Sequence, residues 1–221
     1  MHTQDYVLSP NTKNPHSLDS WSFYFQNSAG NKDNIRIEIN YSMRNHVLPI
    51  EKRKTNVELL GIDYEVNTLS IPELFGTKIK ALIERTAPRD LYDVQNMIKQ
   101  NIIPSEEQDL LRKIILFYLA LGGKNKIVLP FNFDSITRLK YNQIRANLIP
   151  VLRKTERFDF ETAKTEVKEY LSNLMILSGD ETAFVEQFNQ GNYRPELLFE
   201  DAEILGRIRE HPMAAWRMKR S

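Results

Sequence analysis

Cysteine is absent from the 221 residues, which excludes disulfides, thiolate metal sites and thiol nucleophiles together. A surplus of one charge is missing too. Thirty basic residues face 29 acidic ones, for a net charge of +1. No global field therefore draws the chain to nucleic acid or to a membrane surface, and a polyanion would have to be held by a local patch. No apolar run approaches the roughly 20 residues that a membrane helix needs, and the opening MHTQDYVLSPNTKNP lacks the basic-then-apolar build of a secretion signal. A cytoplasmic chain without membrane contact is the expectation. There is no Gly-x-Ser-x-Gly elbow and no glycine-rich phosphate loop. The four histidines, at positions 2, 16, 46 and 211, lie far apart and are not read as metal ligands; His46 alone falls near a strand of interest.

What is present changes period along the chain. Residues 1–19 are rich in Ser, Asn, Thr and Pro and read as a loose lead-in. Trp21 to Gln26 and Asn34 to Tyr41 alternate apolar and polar residues, with Ile35, Ile37 and Ile39 on one face and Arg36, Glu38 and Asn40 on the other. The turn residues between them, Ser28 to Asn31, make the pair an antiparallel hairpin. Residues 42–55 read as a polar, basic surface loop, followed by two short strands at Val57 to Leu60 and Tyr64 to Leu69. From Pro72 onward the period becomes helical, with helices expected at 72–85, 88–100, 105–121, 134–153, 160–177, 180–189 and 200–210. Strands first and helices after imply an α+β fold: a small, mostly antiparallel sheet followed by a helical C-terminal region. The expected division is 1–19, an α/β core at 20–100, and a helical domain at 101–221.

The stretch from Ile71 to Ile98 carries the chemistry. At about 100° per residue, Leu74, Phe75, Ile79, Leu82 and Ile83 fill one half of the first helix, and Lys78 falls inside that half. Lys80 and Glu84 fall opposite. On the second helix Asp90 lies within the apolar arc, Asp93 lies at its edge, and Tyr92 points away. A first-turn aspartate is explained by the positive end of a helix, and a lysine in an apolar arc by snorkelling. A Lys78–Asp90 or Lys78–Asp93 pair across the Thr86-Ala87-Pro88 turn accounts for both at once. The basic clusters Arg44/Lys52–Lys54, Arg138/Lys140/Arg145 and Arg217/Lys219/Arg220 read as solvated surface ahead of RNA contact.

Lys78-Ile79-Lys80-Ala81-Leu82, followed by Pro88-Arg89-Asp90-Leu91-Tyr92-Asp93, resembles the later motifs of the AbiEii/AbiGii abortive-infection toxins. The Ile35–Tyr41 strand and the His211-Pro212-Met213-Ala214-Ala215-Trp216 ending add weaker likenesses. The resemblance implies that residues 20–100 are a partial nucleotidyltransferase-like core, and that the complete family member moves a nucleotide from an NTP to an RNA acceptor such as tRNA, with Mg2+. It assigns catalytic roles to Lys78, Asp90 and Asp93, nucleotide contacts to Lys78 and Arg89, and a metal contact to Glu38. The family's first motif, Gly-Ser then Asp-x-Asp, has no counterpart in this sequence; Asp63-Tyr64-Glu65 lacks the preceding glycine turn. The chain alone is therefore expected to be inactive, and not to bind NTP and Mg2+, unless an N-terminal half is supplied in trans. The alternative is a non-catalytic remnant that binds an antitoxin or that N-terminal half.

Overall fold

The structure, a computed structural model, describes residues 6–10, 18–54, 64–123 and 125–219. Backbone contacts divide the chain into two units, 1–45 and 46–221, and each is described by itself.

In the first unit the period-two alternation does produce a hairpin. Strand β1 (Val7–Leu8) pairs antiparallel with β2 (Leu18–Gln26), which pairs antiparallel with β3 (Lys32–Asn40). Trp21 lies opposite Ile37 and Phe23 opposite Ile35, so the large apolar groups share one face, while Ser20 and Ser22 meet Glu38 and Arg36 on the other. Asn27 makes the turn: its side-chain oxygen accepts from the amides of Ala29 and Asn31, each at 3.0 Å. Gly30 sits at φ 77°, a left-handed backbone that glycine adopts without a Cβ clash. Both strands run longer than their apolar alternation, because ladder hydrogen bonds continue through polar residues.

The second unit starts with a two-stranded ribbon. Strand β4 (Glu51–Lys54) pairs antiparallel with β5 (Glu65–Thr68), with Lys54 opposite Glu65. The expected loop at 42–55 is corrected here: Glu-Lys-Arg-Lys has no strand pattern of its own, and its partner strand and opposite charges organise it. The expected strand at Val57 to Leu60 lies outside the described residues.

Helices follow. Helix α1 (Ile71–Arg85) starts with Pro72 in its first turn and ends where Thr86 turns left-handed at φ 47° and donates its amide to the Leu82 carbonyl. Helix α2 (Pro88–Lys99) again places proline at its start, where no amide is needed. Helix α3 (Gln108–Gly122) is buried continuously from Ile114 to Leu121, as an all-round apolar helix must be. Helix α1 packs on both α2 and α3. Gly76 is what lets α1 and α3 approach: an added Cβ would lie 2.6 Å from Ile114 Cγ2. Helix propensity alone favours Gly76→Ala by about 1 kcal/mol. We expect the opposite sign, a net loss of about 1–2 kcal/mol from overpacking, read as a lower urea midpoint; a raised midpoint would remove the close-approach explanation.

The single helix expected at 134–153 is broken. It becomes α4 (Asp134–Thr137), α5 (Tyr141–Asn147) and a 3-10 turn at Ile149–Val151. Pro150 cannot donate to a continuing helix and disfavours helical backbone at Ile149. Leu139, Ile144 and Leu148 still turn inward and are buried. Helix α6 (Phe160–Leu174) is capped by Asp159, which accepts from the Thr162 amide at 3.1 Å. Helix α7 (Gly179–Asn189) starts with a Ser178/Glu181 capping box. Helices α8 (Ala202–Ile208) and α9 (Pro212–Met218) complete the unit. Among the described residues, no helix is long and apolar enough to cross a membrane.

Candidate functional site

The turn between α1 and α2 brings charged residues from both helices together. Lys78 Nζ lies 2.5 Å from Asp93 Oδ2, with each side chain about one-third exposed (36% and 35%). Of the two pairings open in the sequence, this is the one that forms. Asp90 is taken by Arg85: Nε reaches Oδ2 at 2.6 Å and Nη2 reaches Oδ1 at 2.7 Å, with the Asp90 side chain only 7% exposed. The hydrogen bond to Asp90 pushes the Arg85 guanidinium above its usual, already high value. The left-handed Thr86 reverses the chain just after Arg85, so a residue five positions before Asp90 comes back beside it. Side by side lie an ammonium–carboxylate pair that water can reach and a buried carboxylate clamped at both oxygens.

Lys80 does not face solvent as the wheel placed it. Its side chain is 19% exposed, less than that of Lys78, and pairs with Glu84 at 2.7 Å. A wheel allows for one buried face, whereas α1 has two, and Gly122 at the end of α3 leaves room for the ammonium: a Cβ there would meet Lys80 Nζ at 2.8 Å. Tyr92 points away from α1 as expected, yet it is not idle. Its hydroxyl bonds to Glu156 and its ring lies edge-on to Phe158. Arg89 is exposed and donates from Nε to the Asn147 carbonyl at 2.7 Å. Glu38, in the 1–45 unit, is an exposed β3 side chain that accepts from Ser20 Oγ at 3.3 Å and has Arg36 at 3.7 Å.

Two features escaped the sequence. The Arg85–Asp90 clamp joins positions five apart, which no single helix brings onto one face. The second is Glu73, which reads as an ordinary first-turn acid but is completely buried. It accepts from the amides of Val47 at 2.7 Å and Leu48 at 3.0 Å and from the Tyr118 hydroxyl. Burial first, and the Glu73 charge second, push the Tyr118 phenol upward, which keeps it a donor. His46 Nδ1 stands 3.8 Å from Glu73, and Arg207 donates to the Val47 carbonyl at 3.0 Å. At 3.8 Å His46 makes no hydrogen bond to Glu73, and its Nδ1 is buried without a hydrogen-bond partner among the described residues. His211 is fully buried and caps α9, its Nδ1 accepting from the Met213 amide at 3.1 Å. His2 and His16 lie outside the described residues.

No three His, Asp or Glu side chains among the described residues come together as a metal site. The described donors alone therefore do not fit a divalent cation.

Removing Arg85 tests the clamp. Arg85→Ala removes a partner that is itself 65% exposed and opens Asp90 to water, so the expected loss of stability is about 1 kcal/mol. Arg85→Lys should recover part of that loss, since an ammonium cannot grip both oxygens. Equal urea midpoints for wild type and Arg85→Ala would show the clamp to be energetically idle.

The family model described as "Nucleotidyl transferase AbiEii toxin, Type IV TA system" matches residues 4–174. Among solved structures, the chain is similar to MenT4, the nucleotidyltransferase toxin Rv2826c from Mycobacterium tuberculosis H37Rv. The TM-score is 0.58 at 13% identity, over 86% of this chain and 68% of that one. At that identity the similarity shows the fold. No curated protein matches.

Proposed function

The chain belongs to the AbiEii nucleotidyl transferase toxin family, and on that premise we propose that it transfers a nucleotide from an NTP to an RNA acceptor at the Lys78–Asp93 pair. The observation that carries this reading is the 2.5 Å contact between Lys78 and Asp93, set beside the clamped Asp90. In such a transfer an acceptor hydroxyl oxygen bonds to the α-phosphorus, the bond to the pyrophosphate oxygen breaks, and pyrophosphate departs. The Lys78 ammonium would sit against the phosphate oxygens and offset their growing charge. Asp93, with one oxygen on Lys78, would orient the acceptor hydroxyl and take its proton. Asp90, both oxygens held by Arg85, suits a fixed positioning charge better than a base. Arg89 would add a second cation for phosphate.

Nucleotidyltransferases generally use an NTP with a divalent cation, and Mg2+ is the one we expect. Glu38, on β3, meets Ser20 and Arg36 and joins no group of three metal-binding side chains among the described residues, so no metal is placed on it. One carboxylate is not a cation site, and no step above passes through the metal. A cognate antitoxin is the partner that family membership implies, and the cytoplasm, where NTP and RNA meet, is the expected compartment. A separately encoded N-terminal half is a second partner this reading admits, and a bare interaction module is its alternative.

Incubating the protein with α-labelled NTPs and bulk tRNA should yield labelled RNA, and the label should vanish with Asp93→Asn. Transfer undiminished by that change would sink the assignment. No transfer by the wild-type chain at any NTP would leave a binding module as the better description.

A further inference from the structure

The broken helical region concentrates charge that the chain as a whole lacks. Between Arg138 and Arg157 there are six basic residues, Arg138, Lys140, Arg145, Arg153, Lys154 and Arg157, against one acid, Glu156. All six are exposed. None forms an ion pair among the described residues, although Lys78, Lys80, Arg85, Arg112, Lys164 and Lys168 elsewhere in this unit all do. The one acid is engaged by the Tyr92 hydroxyl. Tyr141, 61% exposed, interrupts the charges with an aromatic ring.

The segment is also fastened to α2. Arg89 holds the Asn147 carbonyl, Tyr92 holds Glu156, and Phe158 covers the Tyr92 ring. Arg89 and Tyr92, one turn apart, face the basic segment, while Asp90 and Asp93 on the same helix meet cations from α1. The charges therefore have a set position beside the candidate site.

We propose that residues 138–157 grip the phosphate backbone of the RNA acceptor, with the six cations tracking successive phosphates and Tyr141 offering a stacking face. This rests on the transfer reading above for the identity of the strand; the patch itself rests on charge and exposure. Four of the six cations are arginine, whose planar fork matches phosphate oxygens. Leu139, Ile144 and Leu148 turn inward and hold the scaffold. Six exposed cations against one acid make a local positive field that favours a polyanion. An acidic protein could supply charge of the same sign, and the test separates it from RNA.

The test is fluorescence anisotropy with labelled bulk tRNA, without nucleotide, across a salt series. Each lost cation–phosphate contact lowers the slope of log K against log salt by about 0.7–1. The triple variant Arg145→Gln/Arg153→Gln/Arg157→Gln should therefore show a slope shallower by about 2–3 and weaker binding. A control with the same charge change, Lys126→Gln/Arg209→Gln/Lys219→Gln, removes exposed cations elsewhere and should keep the wild-type slope. Equal slopes for the two triple variants would reduce the effect to net charge and overturn the proposal. So would tighter binding to labelled polyglutamate than to tRNA, which would identify an acidic protein partner. Circular dichroism and the urea midpoint should match wild type for both variants. Transfer is assayed separately: tRNA binding that depends on 145/153/157, with no transfer from any NTP, sinks the catalytic reading and leaves the grip standing.

Discussion

Lys78→Ala is expected to reduce nucleotide transfer by on the order of 10²–10³-fold while leaving the protein folded. Removing a group that meets charge developing in the transition state costs that much in comparable sites. The folding side of the account is small. Lys78 and Asp93 are each about one-third exposed, and a pair open to water contributes only about 0–1 kcal/mol. Activity and stability should therefore separate, with kcat/KM falling and the urea midpoint nearly unchanged. Lys80 supplies the contrast. It is two residues away and paired with Glu84 on the side of α1 that meets the end of α3, so Lys80→Ala should keep most of the transfer. The reverse pattern, Lys80→Ala dead and Lys78→Ala active, would assign the phosphate contact to the wrong lysine here.

Glu73→Ala should have the largest effect on stability, a loss on the order of 3–5 kcal/mol. The carboxylate is fully buried, and two backbone amides and the Tyr118 hydroxyl point at it. Deleting it strands the buried Val47 amide and Tyr118 hydroxyl, each costing about 1–3 kcal/mol, while the half-buried Leu48 amide loses its partner at lower cost. Against a typical domain stability of about 5–15 kcal/mol, that is a large share. Tyr118→Phe removes one donor and leaves the carboxylate held by both amides, so about 1–1.5 kcal/mol is expected. Glu84→Ala, at a partly exposed pair, should cost under about 1 kcal/mol. The check is a urea series on all three. A Glu73→Ala midpoint no lower than that of Glu84→Ala would mean that the amides find other partners and that the network does not anchor residues 46–48.

Much of this fold is local and could be read locally. Alternation at Trp21–Gln26 and Ile35–Ile39, with Asn and Gly between, specifies a hairpin because side-chain period and turn chemistry act over a few residues. The same holds for α1 and α2, each opened by a proline, and for the end of α3 at Gly122. The α+β order followed from these pieces. The candidate site was half legible. The wheel placed Lys78 and Asp90 away from solvent, and the family motif picked out both together with Asp93, but neither could choose the partner.

Sequence by itself determined where the chain alternates, where it turns helical, and that Lys78, Asp90 and Asp93 sit on facing sides of one helix–turn–helix. Tertiary structure decided the rest. It matched Lys78 to Asp93 and Arg85 to Asp90, because a left-handed Thr86 sets how the helices meet. It gave α1 a second packed face and so drew Lys80 inward. It fastened the basic segment 138–157 to α2 through Arg89 and Tyr92. And it buried Glu73 under residues 26 and 45 positions away. A side chain's period can be read from its neighbours in the chain; its partner across space depends on backbone geometry that no short window of sequence contains.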